Sequence, residues 1–171
     1  RNFSRLVKNK KFPTEYLSAF SKTITEACIK GSIKIKTLEK EKVTKNNFDS
    51  MLRKLDYSML IFNGHGSTDS ITGHKKETII KLGVDDDLLF GRITYARSCW
   101  FASGLMQINK ADYEGCFIGY NAPFRFLIDT RRATNPTKDN TAKIFFDTSN
   151  LVPLGLIKGH SANEADQNSK K

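Results

Sequence analysis

The sequence predicts an α/β domain with a largely parallel central sheet covered by helices on both faces. Three observations carry that expectation. Apolar residues at helical spacing alternate along the chain with short apolar runs of strand length. The runs are nearly continuous, as strands covered on both sides are. Two of them stop at abrupt turns bearing His65 and Cys99. A length of 171 residues suits one core, so the whole of 1–171 reads as a single domain.

Taken in order, Pro13-Thr14-Glu15 leads into Tyr16, Leu17, Phe20, Ile24 and Ala27, whose spacing predicts a helix ending near Gly31. Ile33-Lys34-Ile35-Lys36 alternates with period two and predicts a short half-buried strand before a charged turn. From Thr44, the residues Phe48, Met51, Leu52 and Leu55 recur on one helical face. Ser58-Met59-Leu60-Ile61-Phe62 reads as a strand buried on both faces and ended by Asn63-Gly64-His65-Gly66. A further strand is expected from Thr78 towards Leu82, and Asp85-Asp86-Asp87 places acids in the first turn of a short helix.

The second half continues the alternation. Arg92-Ile93-Thr94-Tyr95-Ala96 predicts a strand, a helix is expected directly behind it over 100–108, and Cys99 falls at the junction. One more strand is expected over 114–120. Asp139 is placed to cap a helix over about 140–146, and Ser161-Ala162-Asn163-Glu164 has the pattern of a capping box for a last helix. No internal repeat is present.

Composition excludes several classes. With 39% hydrophobic and 27% charged residues, 11 Gly and 4 Pro, the chain is neither collagen-like nor low-complexity nor wholly disordered. Its longest apolar runs fall far short of the roughly 18 residues that cross a bilayer, which predicts no membrane span. Cys28, Cys99 and Cys116 form no paired framework and no signal peptide opens the chain, so a cytoplasmic, reducing location is expected. Because the first residue is Arg1 rather than Met, the chain reads as part of a longer polypeptide.

The net charge of +10 raises the question of nucleic acid. Residues 1–56 hold 14 Lys and Arg against 6 Asp and Glu, but these are scattered singly, without interleaved aromatics to stack on bases. A solvated basic face explains them, and direct nucleic-acid binding is the lesser alternative.

The most informative pair is His65, in a Gly-His-Gly turn after one buried strand, and Cys99, just after another. In parallel sheets, binding sites gather beyond the carboxyl ends of strands. Glycines beside the histidine leave room for a substrate chain. A cysteine at a helix start gains from the positive end of the helix dipole, and a neighbouring imidazole would favour its thiolate further. The two residues could thus form a nucleophile and its acid/base partner, with the backbone N–H groups of Gly66 and Cys99 holding a developing oxyanion. Taken singly, His65 reads as a turn residue and Cys99 as a small buried hydrophobe. Their joint placement favours chemistry.

The stretches Met59-Leu60-Ile61-Phe62-Asn63-Gly64-His65-Gly66 and Ile93-Thr94-Tyr95-Ala96-Arg97-Ser98-Cys99-Trp100-Phe101-Ala102 resemble the clan CD cysteine peptidases, which include caspases, metacaspases, gingipains, separase and the bacterial CHAT proteins. Members place a His-Gly after one strand and a Cys after the next. Phe117-Ile118-Gly119-Tyr120, and Gly159-His160-Ser161-Ala162-Asn163-Glu164-Ala165 further on, are similar to the later half of CHAT-type domains, so the likeness spans about 14–166. Arg97-Ser98-Cys99-Trp100-Phe101 departs from the caspase Gln-Ala-Cys-x-Gly signature, and His65 and Cys99 lie closer than the roughly 50 residues of caspases. A distant prokaryotic-type relative is therefore expected rather than a true caspase.

The resemblance implies a caspase-like three-layer sandwich that cleaves a protein or peptide substrate without a cofactor. His65 would be the acid/base, Cys99 the nucleophile, and Gly66 and Cys99 the oxyanion hole. A regulatory domain or activating partner outside this chain is implied as well. The residue two before the nucleophile lines the pocket for the residue whose carbonyl is attacked in several branches; here it is Arg97. A guanidinium there would select Asp or Glu, unless Arg97 points into a surface salt bridge instead. Arg125 is a second candidate for the same pocket. An inactive relative serving as a protein-binding scaffold is the chief alternative.

Other features weigh less. His74 lacks the close ligand spacing that a zinc site needs, and Asp85 to Asp87 suit a helix start better than calcium, so no metal is expected. Cys28 and Cys116 read as core residues. Trp100 and Phe101 either shape the pocket or pack the following helix.

Overall fold

The computed structural model describes residues 12–104 and 115–171. In chain order the elements are α1 (Phe12–Lys30), α2 (Lys45–Lys54), β1 (Met59–Asn63), β2 (His65–Gly66), β3 (Ser70–Thr72), β4 (Thr78–Lys81) and β5 (Arg92–Arg97). There follow α3 (Phe101–Gly104), β6 (Gly115–Gly119), α4 (Asn140–Ile157) and α5 (Ala162–Ser169). The chain divides into two compact units, one of Arg1–Ile35 with Arg125–Lys171, the other of Lys36–Phe124.

The unit Lys36–Phe124 is built on a parallel three-stranded sheet in the order β1-β5-β6. Thr44 caps α2 by accepting from the Asn47 N–H, and the helix turns Phe48 and Leu52 into the core. There they join Leu60, Ile79, Ile80 and Phe101. The Phe48 ring meets Phe62 of β1 at 5.6 Å, and Phe101 meets Phe117 of β6 at 5.4 Å. Arg92 donates through Nε to the Tyr57 carbonyl at 3.0 Å and through Nη1 to the Leu88 carbonyl at 2.9 Å, locking the entry to β5.

The other unit packs α1 against α4, and α4 against α5. Tyr16, Phe20, Ile24 and Cys28 form the buried stripe of α1. Phe20 stacks on Phe146 with centroids 4.6 Å apart and planes 3° from parallel, and Phe126 meets Phe146 edge-on at 4.7 Å. At the start of α4, the fully buried Asp139 carboxylate accepts from the Thr141 and Ala142 N–H groups at 3.0 Å. It also accepts from the Asp129 N–H and the Tyr16 hydroxyl, both at 2.8 Å. Burial, and then the Asp139 carboxylate, hold the Tyr16 hydroxyl well above its ordinary pKa.

Several expectations need correction. Ile33-Lys34-Ile35-Lys36 is no strand: it is irregular, with Ile33 42% and Ile35 38% exposed. Period-two alternation marks a strand only where a neighbour supplies the ladder, and no described residue pairs with this segment. The strand from Thr78 exists, but as β4 of a separate antiparallel sheet in the order β2-β3-β4. The parallel part is therefore smaller than the alternating pattern implied. In β1 only Leu60 is fully covered, so the strand is less buried than its run of apolar residues suggests.

Helix α4 runs past Phe146 to Ile157 through a polar stretch. It continues because Ser149 and Asn150 are buried and bonded: Ser149 Oγ donates to the Phe146 carbonyl at 3.2 Å and Asn150 Nδ2 to the Phe20 carbonyl at 3.0 Å. Among the described residues, no helix is long and apolar enough to cross a membrane.

Candidate active site

Strands β1 and β5 run parallel with Met59 opposite Ile93 and Asn63 opposite Arg97, a constant offset of 34 positions. His65 and Cys99 have that same offset. Past the last paired residues the Gly64 N–H still donates to the Arg97 carbonyl at 3.3 Å. The chain then turns out of the sheet, and His65 and Gly66 pair with Thr72 and Ile71 of β3. His65 and Cys99 thus leave neighbouring strands at the same carboxyl end.

Their backbones are also held together. A methyl group placed on Gly66 would lie 3.0 Å from Ser98 Cβ, 3.0 Å from Ser98 Oγ and 3.1 Å from the Ser70 carbonyl oxygen. It is this close approach, and not its backbone angle, that favours glycine at 66, since its φ is not among the positive ones. His65 is exposed, Cys99 is half-buried, and Arg97 and Ser98 beneath them are fully covered. The Cys99 N–H meets no acceptor among the described residues, which leaves one backbone donor at the sulfur-bearing residue.

The turn behind Cys99 differs from expectation. Trp100 adopts a left-handed backbone with φ of 63°, and α3 begins only at Phe101. Cys99 therefore does not lead straight into a helix, and the dipole argument for its thiolate loses its geometry. The remainder of the helix expected over 100–108 lies outside the described residues. A bulky residue in this conformation costs of order 1–3 kcal/mol and tends to persist where surrounding bonds impose it. Here the Trp100 N–H donates to the Ala122 carbonyl at 3.4 Å, the Ala102 N–H to the Tyr120 carbonyl at 3.3 Å and the Ser103 N–H to the Trp100 carbonyl at 3.0 Å. The turn is tied to the loop that follows β6. Phe101 is fully buried in the core, whereas Trp100 is 44% exposed.

Arg97 is 0% exposed, which removes the surface salt bridge as its role. Its Nε donates to Asn63 Oδ1 at 2.7 Å. Burial lowers the guanidinium pKa, against the pull of Tyr95 and Tyr120 in the other direction. Such a group stays charged in proteins. Asn63 and Arg97 each stand two residues before His65 and Cys99, so a side-chain hydrogen bond joins the two strands just ahead of those positions. Asn63 was not singled out in the sequence; the shared offset of 34 was the available signal. Ser98 was missed as well: its Oγ is buried and has no hydrogen-bond partner among the described residues.

Arg125 is exposed and opens the other unit. His74 sits in a short turn whose backbone N–H donates to the Val43 carbonyl at 2.7 Å. Asp85 accepts from Lys45 Nζ at 2.7 Å and from the Lys81 N–H at 2.9 Å, and Asp86 accepts from the Gly83 N–H at 2.8 Å. Those acids tie a turn. Among the described residues no three His, Cys, Asp or Glu side chains gather as a metal site would need.

Cys28 is buried, which pushes its thiol pKa up, and Cys116 lies half-buried on β6 opposite Ile93. Within the Gly159 to Ala165 segment, Ser161 and Glu164 form a capping box for α5, and the bonds from Ser161 hold the Glu164 carboxyl below its usual range. Helix capping thus accounts locally for those two residues. No protein-family model, curated protein or solved structure matches the chain.

Proposed function

We propose that this chain is a caspase-like cysteine endopeptidase domain in which Cys99 is the nucleophile and His65 the acid/base. The observation that supports this best is the parallel register of β1 and β5, whose offset is the offset between those two residues. In the proposed reaction His65 accepts the Cys99 proton, and the sulfur attacks the carbonyl carbon of the scissile peptide bond. The negative charge that develops on oxygen is held by the N–H groups of Cys99 and Gly66. The tetrahedral intermediate collapses to a thioester as His65 returns the proton to the leaving amine. Water, deprotonated by His65, then releases the acid and regenerates the thiol.

The acidic preference next to the bond rests on Arg97. As the chain stands the guanidinium is covered, so a substrate carboxylate would have to displace the side chains above it to pair with it. Cys28 and Cys99 carry free thiols, which supports a reducing, cytoplasmic setting. A regulatory partner outside this chain remains part of the proposal.

Labelling by an electrophilic peptide, followed by cleavage profiling on a peptide library, tests the reading. Label should be lost in Cys99→Ala and His65→Ala and kept in Cys28→Ala, and cleavage should fall after Asp or Glu. Labelling that survives Cys99→Ala removes the enzymatic reading and leaves a scaffold. Efficient cleavage after Lys or Arg removes the role given to Arg97.

A further inference from the structure

Trp100 is the single tryptophan of the chain, directly follows Cys99, and is 44% exposed. Its neighbour Phe101 is fully buried, so the two adjacent aromatics have separate fates: one packs the core and the other faces outward. Core packing does not fully account for Trp100, which leaves close to half of its surface open. Its ring makes no stacking contact with another aromatic among the described residues. Nor does backbone preference explain it, because the left-handed conformation at φ of 63° suits glycine or asparagine and disfavours a branched or bulky residue. An indole is thus held, against local preference and partly open to solvent, on the residue next to the one that bears the sulfur.

From these observations we infer that Trp100 is a specificity-determining residue that receives an apolar side chain of the peptide, aromatic or long aliphatic, within about two residues of the bond to be cut. Consecutive α-carbons are about 3.8 Å apart, so an indole next to the nucleophile can reach only such near neighbours. Its flat apolar face, with one polar N–H edge, suits an aromatic or Leu-like partner. The turn is anchored by the bonds from Trp100 and Ala102 to the loop after β6, and Tyr120 and Phe124 of that loop pack edge to face at 4.9 Å. The platform is therefore braced before a peptide arrives, which lowers the ordering cost of binding. The acidic preference argued from Arg97 concerns the residue whose carbonyl is attacked; Trp100 takes a neighbour.

The inference rests on the reading of Cys99 as the reacting thiol, and its test separates the two. Because Trp100 is the only tryptophan, its emission reports contact directly in Cys99→Ala protein. Short peptides with an acidic residue flanked by Phe or Leu should shift the emission to shorter wavelength and saturate at about tenfold lower concentration than peptides flanked by Ser. In the wild-type chain the kcat/KM ratio of Phe-flanked to Ser-flanked peptides should fall about tenfold in Trp100→Ala and be kept in Trp100→Phe. Trp100→Gly, which relieves the left-handed strain, should lose the same preference while keeping the fold. Emission unmoved by apolar peptides, or the same ratio in Trp100→Gly as in wild type, overturns the inference. Emission that moves while Cys99 stays inert to electrophiles sustains the apolar contact and removes the peptidase reading alone.

Discussion

Gly66 packs against Ser98 so closely that a single added methyl would sit 3.0 Å from the serine's β-carbon and hydroxyl oxygen. This contact joins the residue after His65 to the residue before Cys99. It brings the two backbones together beyond the strand pairing, whose last paired residues are Asn63 and Arg97.

The first prediction follows from that contact. Gly66→Ala should cost about 1–3 kcal/mol as an overpacked site, and it should displace His65 from Cys99 and reduce labelling. Adding Ser98→Gly removes two of the three clashing atoms, leaving the Ser70 carbonyl oxygen at 3.1 Å, so the double variant should recover part of the loss. Urea melts of the two single variants and the double measure the coupling. Strict additivity would refute the contact.

Ser98 carries a second. Its buried hydroxyl has no partner among the described residues, so Ser98→Ala should leave stability unchanged or raise it by up to about 1 kcal/mol. A clear drop in Tm would mean that the hydroxyl is bonded in solution.

The third concerns the pair beneath the candidate dyad. Asn63→Ala takes the acceptor from the buried Arg97 Nε, and because Asn63 itself is exposed, so that water can reach the gap, it should destabilise by about 1 kcal/mol. Asn63→Asp, which restores an oxygen acceptor, should lose less. Chemical denaturation of both variants decides the matter, and equal stability of Asn63→Ala and wild type would contradict it.

The fourth is a pH dependence in the unit that holds α1 and α4. Folding raises the Tyr16 pKa, so it favours the neutral phenol over the phenolate. The stabilisation is therefore complete below the unfolded value of about 10 and is lost as pH climbs past it towards the folded value. Thermal melts from about pH 8 to about pH 11 should show a steeper alkaline loss of stability in wild type than in Tyr16→Phe. Parallel curves for the two proteins would rule out Tyr16 as the titrating group.

Local pattern made much of this legible in advance. The apolar stripe from Tyr16 to Ala27 marked α1, the spacing from Phe48 to Leu55 marked α2, and Thr44, Asp139 and Ser161 stand at helix starts as their side chains predict. The strands at Met59, Arg92 and Gly115 were expected, as was the arrival of His65 and Cys99 at strand ends. Each of these depends on residues within a turn or two of one another.

What the amino-acid order determined by itself was where α2, α4 and α5 begin and which apolar runs extend as β1, β5 and β6, because periodicity and caps act over a few residues. Only the tertiary structure decided which segments pair. It left Ile33 and Ile35 without a ladder, set Asn63 under Arg97, pressed Gly66 onto Ser98 and bent Trp100 into a left-handed turn. Those outcomes depend on atoms distant in sequence, and no local spacing encodes the distance at which they meet.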